Sequence, residues 1–367
     1  MDDKENKKVY SSKSYFCENC GSSFIYDADD GVMRCPHCDS TMPLVQTQLA
    51  KETPFTNDVI SKSCMWTGTK CVQCEDCGAE FVLSNNETST SCPFCGRVHI
   101  LERGEIPGIR PSGIIPFEIG YKEAKNIFLK WVKSKNMAPK SFKKTARERK
   151  IDGVYIPTFT FDSKTVSSYK LTYGTYHTRT VGTGKNRHTE TYMTTHSGSG
   201  IINMNFDDIN IESSCHIEQN KYDALGGFNT NQASSFHDQF ISGYSCERYS
   251  ESIGDSWNEA VDIMKDRIKR GVINKYTGVD TVISYQANTS FNDTCYKYIL
   301  VPIYFINYIY KNKNYQCRIH GITGKAKGEA PVSVAKVLGI VFTVIIFIAI
   351  IILVLIWTDV IDISNIF

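Results

Sequence analysis

One cysteine pattern occurs twice in this chain, and it sets what the amino-terminal third can fold into. Cys17-Glu-Asn-Cys20-Gly21 is followed after fourteen residues by Cys35-Pro-His-Cys38, and Cys74-Glu-Asp-Cys77-Gly78 is followed at the same interval by Cys92-Pro-Phe-Cys95. Both copies read C-x2-C-G-x2-F-x10-C-P-x-C, with equivalent positions 57 residues apart, so the unit is duplicated. Two thiolates separated by two residues can grip one metal from a single tight turn, and two such turns complete a tetrahedron with metal–sulfur distances of ~2.3 Å. The pattern predicts two zinc ribbons. Cys17, Cys20, Cys35 and Cys38 hold one Zn2+; Cys74, Cys77, Cys92 and Cys95 hold the other.

A ribbon of about thirty residues cannot bury a stabilising core. Metal binding, on the order of 10–16 kcal/mol per site in comparable peptides, supplies the missing stability. Four cysteines leave no open coordination position, so both ions are expected to be structural and not catalytic. The glycine after each first pair permits a turn that a Cβ would hinder. His37 is surplus to the tetrahedron and is expected to be a solvent-facing loop residue. Cys71 forms an overlapping pair with Cys74, but Cys74 and Cys77 reproduce the first copy's interval and its glycine and are the expected ligands. Disulfide pairs or buried thiols are the competing assignment, which does not require two identical frames.

Fourteen cysteines paired in this way point to a reducing compartment where thiolates stay available. The remaining Cys64, Cys71, Cys215, Cys246, Cys295 and Cys317 are expected to be mostly small buried hydrophobes. The net charge of +2 conceals a sharp asymmetry. Residues 1–103 carry ten Lys/Arg against fifteen Asp/Glu, while 117–150 carry eleven basic residues against three acidic ones. Loaded four-thiolate sites would make the ribbon region more acidic still, which weighs against a nucleic-acid surface there.

At the other end, Val337 to Trp357 contains nothing more polar than Thr343. As a helix these residues span about 31 Å, the thickness of a bilayer's hydrocarbon core, and predict a single transmembrane helix. Lys325, Lys327 and Lys336 precede it whereas Asp359 and Asp362 follow, so the positive-inside rule places the bulk of the chain on the cytoplasmic side of a cell membrane. The charged start, Met1-Asp-Asp-Lys-Glu-Asn-Lys-Lys, lacks the pattern of a signal peptide.

Between these ends the expected class is α+β. The divisions are a polar tail (1–14), the first ribbon (15–44), a linker (45–69), the second ribbon (70–101), a Pro/Gly-rich linker (102–116), an α+β domain (117–330), the membrane helix (337–357) and a short extracytoplasmic tail (358–367). Tyr121, Ala124, Phe128, Trp131 and Val132 recur at helical spacing, with Lys122, Lys125, Lys130, Lys133 and Lys135 opposite. That basic face, extended to Lys150, is either solvated or in contact with anionic lipid or an acidic partner. Alternating Thr, Tyr and Val from 151 to about 213 predict antiparallel strands, with a hairpin tip at Gly182–Arg187. A second helix is expected from an Asp255 N-cap to Gly271, and a further hairpin turns at 311–314. Neither Gly182–Arg187 nor Gly321-Ile-Thr-Gly324-Lys325 meets the requirements of a phosphate-binding loop. His177, His188, His196 and Asp207-Asp208 match no ligand or acid–base spacing and are expected to hold surface or hydrogen-bonding roles.

The chain resembles a family of uncharacterised bacterial membrane proteins with amino-terminal zinc ribbons of the transcription factor IIB type. The resemblance is carried by the cysteine pairs, Ile115-Pro-Phe117, Tyr155-Ile-Pro157, Phe240-Ile-Ser-Gly-Tyr244 with Glu247, Tyr296 through Pro302, and His320-Gly-Ile-Thr-Gly-Lys325. Members often show Asn-Gly-Gln-Thr-Gly-Lys at the last place. His320 and Ile322 depart from it, suggesting that the turn's geometry matters more than those side chains. The resemblance implies no reaction, and a relationship to primosomal helicases finds no nucleotide-binding loop here. The expected role is a non-enzymatic, membrane-anchored module that recruits a protein partner. Membrane-tethered nucleic-acid binding through Lys122 to Lys150 is the alternative, and an unrecognised enzyme in the central sheet is the third.

Overall fold

A computed structural model describes residues 15–56, 70–83, 92–95, 97, 100–103, 109–214, 216–311 and 313–357. The architecture is α+β and mainly antiparallel. The first cysteine repeat forms a small sheet of β1 (Ile25–Asp27), β2 (Val32–Arg34) and β3 (Thr41–Met42). Next come β4 (Thr53–Pro54) and the second repeat's β5 (Lys70–Cys74), β6 (Glu80–Leu83) and β7 (Ile100–Arg103). The central part contributes β8 (Gly113–Ile114), α1 (Tyr121–Ser134), α2 (Lys140–Thr145), β9 (Asp152–Val181), β10 (His188–Glu212) and α3 (Gln219–Asp223). The chain continues through β11 (Ser234–Ser235), β12 (Ser245–Glu247), α4 (Ile253–Ile273), β13 (Thr281–Tyr310), β14 (Lys313–His320), β15 (Ala326–Gly328) and α5 (Val334–Trp357).

Three long strands form the backbone of the molecule. β9 lies between β10 and β13, antiparallel to both. Its composition explains how its surroundings change along its length. The apolar run Val154-Tyr-Ile-Pro-Thr-Phe-Thr-Phe161 is buried on both faces, Ser163 to Leu171 alternate buried and exposed, and residues 176–180 are exposed. The long strands run on through their irregularities, because bulges absorb the register shifts. Asp208 on β10 (φ 52°) and Asp293 on β13 (φ 49°) sit at register shifts on either side of Asp162–Ser163. Aspartate tolerates that left-handed conformation better than most side chains.

α4 packs Ala260, Met264, Ile268 and Val272 in one core with Ile202 and Phe206 of β10. Ser252, not Asp255, is its N-cap, accepting from the Asp255 N–H at 3.1 Å. Gly271 does not end the helix, which runs two residues further. A Cβ there would lie 3.3 Å from Ile202 Cδ1 and Met204 Sδ, so the glycine lets α4 lie close to β10.

The two ribbons are not built into the molecule alike. The second joins the main sheet: β6 pairs with β12, which runs parallel to β9. The first keeps its own sheet and docks through main-chain and side-chain hydrogen bonds. Tyr26 Oη donates to the Phe117 carbonyl (2.9 Å), Ser242 Oγ to the Phe24 carbonyl (2.6 Å), and the Gly120 N–H to Asp29 (2.9 Å). The stretch expected as a linker contributes β4, which pairs with Cys295 and Tyr296, and Leu49 bridges to Ser234. Its Trp66 and Cys64 lie outside the described residues, as do 1–14 and 358–367.

α5 is long and apolar enough to cross a membrane, and none of Val334–Val354 is buried against the rest of the chain. It starts three residues before the expected Val337. Its base is fixed: the Ser333 N–H donates to the Met137 carbonyl (2.9 Å), and Lys336 Nζ to the carbonyls of Asn136 and Ala138 (2.8 Å each).

Candidate functional site: two four-cysteine clusters

Each cysteine pair opens with the same turn. The N–H groups of Cys17, Cys35, Cys74 and Cys92 donate to the carbonyls five residues on, at 2.7, 2.8, 2.9 and 2.7 Å. Among the described residues, the residue four positions on returns its N–H to the cysteine carbonyl from the left-handed region: Gly21 (φ 74°), Asp39 (φ 58°) and Gly78 (φ 77°). This backbone aims the intervening amides at sulfur. In the first cluster, burial pushes the Cys17 thiol up, but the N–H groups of Asn19 and Cys20 outweigh it, so it is lowered overall. Cys20 is lowered chiefly by the Ser22 N–H, whereas burial pushes Cys35 up to about 11.

The four Sγ atoms of Cys17, Cys20, Cys35 and Cys38 lie within 4.8 Å of one another, as do those of Cys74, Cys77, Cys92 and Cys95. Opposed pairs are 3.4 Å (Cys17–Cys38), 3.4 Å (Cys20–Cys35), 3.6 Å (Cys74–Cys95) and 3.7 Å (Cys77–Cys92) apart. A disulfide needs about 2.05 Å. A tetrahedron with metal–sulfur bonds of ~2.3 Å has edges of about 3.8 Å, so both donor sets fit a zinc-type ion. Cys71 stands outside the second cluster, and His37 is exposed beside the first.

The surroundings differ. In the first cluster Cys20 and Cys38 are exposed, together with Glu18, Asn19, Pro36, His37 and Asp39. The second is packed from behind, its Cys74 and Cys92 wholly buried. Burial pushes the Cys77 thiol up to about 12 and Cys92 further. Asn307 on β13 donates to the Pro93 carbonyl (2.6 Å) and Gln316 on β14 to that of Phe94 (3.1 Å), holding the second turn on the sheet.

Behind this cluster lies a group that cysteine spacing does not announce. His216 stacks on Phe94 with ring centroids 4.4 Å apart, and its Nδ1 is 2.7 Å from Glu247 Oε1. Burial favours the neutral imidazole, but the Glu247 carboxylate overrides it and raises the His216 pKa, with a contribution from a hydrogen bond to the Cys77 main chain. Glu247 is 1% exposed and also accepts from Ser214 Oγ at 2.7 Å. Glu212, nearby, is pushed up to about 10 by burial and then by Glu247's charge, so it is a neutral acid at physiological pH. A cavity of about 460 Å³ adjoins the cluster, lined by Phe94, Cys95, Arg149, Lys221, Arg318 and Glu329. Burial lowers the Arg318 pKa, and among the described residues no hydrogen-bond partner meets its Nε.

The histidines of the central sheet are not brought together. His177 meets Thr194 Oγ1 at 2.8 Å, His188 lies 3.4 Å from Glu190, and His196 stacks on Tyr173; all three are exposed. Asp162, Asp207 and Asp208 do cluster, but Asp208 pairs with the buried Lys297 at 2.9 Å. Cys71, Cys246 and Cys317 are buried and Cys295 half-buried; Cys215 is outside the described residues. His320 corrects the expectation that its side chain is incidental. Its Nδ1 accepts from the N–H groups of Ile322 (3.2 Å) and Thr323 (3.3 Å), so the imidazole holds the turn.

No protein-family model matches the chain, and no solved structure matches it. Among curated proteins it is similar to the uncharacterized protein YdjG of Bacillus subtilis (strain 168), 26% identical over 328 residues, 88% of this chain and 92% of that protein. The chain has a distant bacterial homologue. A match of that length reaches far beyond the two ribbons, so shared cysteine spacing does not account for it.

Proposed function

We propose that the protein is a membrane-anchored, non-enzymatic zinc-ribbon module that recruits a protein partner. In this reading each cluster holds a structural Zn2+, α5 is a single-pass anchor, and the bulk of the chain is cytoplasmic. The ribbons are of the transcription factor IIB type, within a family of membrane proteins. One observation carries the reading: the clusters differ in exposure. The second is locked into the main sheet, whereas the first presents both cysteine turns to solvent on a docked, rigid support. A surface fixed by metal loses little conformational freedom on binding, which favours recognition. Phe16, 57% exposed beside Cys17, gives that surface an apolar anchor.

The test is cross-linking and capture of the full-length protein from cells that contain it, with half of each sample treated with nuclease. Cys17→Ser/Cys20→Ser is the control. Partners that survive nuclease and are lost with the cysteines support recruitment. Recovery of nucleic acid, with proteins lost on digestion, would replace it by membrane-tethered nucleic-acid binding.

A further inference from the structure

We infer that the face of the protein from which α5 emerges is a binding surface for anionic phospholipid headgroups, an inference that rests on α5 spanning a bilayer. The hydrogen bonds from Ser333 and Lys336 tie the helix base to residues 136–138. Whatever adjoins that loop must therefore adjoin the membrane. α2 begins two residues later, and Ser141 Oγ lies 3.2 Å from Tyr310 Oη, which joins α2 to the tip of the β13–β14 hairpin. A groove of about 330 Å³ at the foot of α5 is lined by Pro139, Tyr310, Lys311, Lys313, Val332 and Val334.

The chemistry of this face suits a charged leaflet. Lys133, Lys140, Lys144, Lys311 and Lys313 are exposed, and among the described residues none has an acidic side chain within 4.0 Å. Residues 133–145 and 309–318 contain no Asp or Glu. Met137, Ile309 and Val332 stand exposed among these lysines, at 39%, 60% and 59%. Lysines within a Debye length of an anionic leaflet are drawn to it, each contributing on the order of fivefold to binding. Apolar side chains beside them can enter the boundary between headgroups and acyl chains. A soluble nucleic acid would be met by the same charges, but nothing holds it against this face, whereas α5 holds the bilayer there.

Hydrogen exchange of the full chain in nanodiscs tests this. In phosphatidylcholine mixed with phosphatidylglycerol, amides of 133–145 and 309–314 should exchange at least ~fivefold more slowly than in phosphatidylcholine alone. High salt, or the variant K140Q/K144Q/K311Q/K313Q, should abolish the difference. Equal exchange in both lipids overturns the proposal. Protection in neutral discs by a single-stranded RNA oligomer, with none from phosphatidylglycerol, overturns it in favour of nucleic acid. Failure of the chain to enter discs overturns the membrane reading as well, whereas insertion with unchanged exchange overturns only the headgroup surface.

Discussion

His216 Nδ1 and Glu247 Oε1 lie 2.7 Å apart behind the second cysteine cluster, joining residues 31 positions apart in sequence. His216 stacks on the turn that carries Cys92 and Cys95, while Glu247 ends the strand that pairs with β6. The pair therefore couples the metal-binding turn to the main sheet. Burial already raises the Glu247 pKa and His216 opposes that rise, so His216→Ala should drive the carboxyl towards its neutral form and loosen the turn, at a cost of up to about 3–5 kcal/mol. Chelator competition should then remove metal from the second cluster faster than from wild type while sparing the first. Unchanged release would refute the coupling.

The unequal exposure of the clusters predicts two phases of metal loss. A chelator such as EDTA should strip the first cluster, with Cys20 and Cys38 at the surface, before the second. Cys35→Ser and Cys92→Ser should each lower bound zinc by one equivalent. Cys92→Ser should lower the melting temperature more, because β6 belongs to the main sheet. Retention of both equivalents in either variant would overturn the ligand assignment.

Glu212 makes stability depend on pH in a defined direction. Its carboxyl titrates at about 10 in the fold, above the ordinary 4.5. A raised pKa means that the folded state holds the proton more tightly. Its contribution is complete below about pH 4.5 and declines as pH rises towards 10. At neutral pH the loss is up to about 3 kcal/mol, since each unit corresponds to about 1.4 kcal/mol. Glu212→Gln, a permanently neutral mimic, should raise the urea midpoint at pH 7 and lose that advantage near pH 4. An identical gain at both values would show that protonation is not the cause.

His320 has the opposite sense. Burial holds its pKa below 6.5, so the neutral ring is favoured and its contribution is present above pH 6.5 and lost as pH falls through the folded pKa. His320→Asn keeps a short acceptor for the turn and should cost little. His320→Ala leaves two N–H groups without their acceptor and should cost about 1–3 kcal/mol. Thermal melts at pH 7.5 of the two variants decide this; equal losses would show that the ring's packing on Phe228 matters more than its acceptor nitrogen.

Much of the local structure is legible because its causes are local. The knuckle spacing, the stripe on α1, the hairpin tips and the apolar run of α5 are each written within a few turns of chain. The errors have local causes too. Gly271 reads as a helix end because glycine is a poor helix former, yet its missing side chain is what the neighbouring strand requires. The bulges at Asp208 and Asp293 are not legible in the sequence, because a bulge exists only relative to its partner strand.

By itself the sequence determined that two equivalent four-cysteine units and one long apolar helix must exist, since metal chemistry and helix length follow from spacing alone. Tertiary structure alone decided that the two units are unequal. Long-range pairing with β12, and the burial of His216, Glu247 and Glu212 behind one cluster, depend on strands far apart in the chain. Burial and charge pairing are properties of that assembled environment, so identical cysteine frames end as one solvent-facing knuckle and one locked into the sheet.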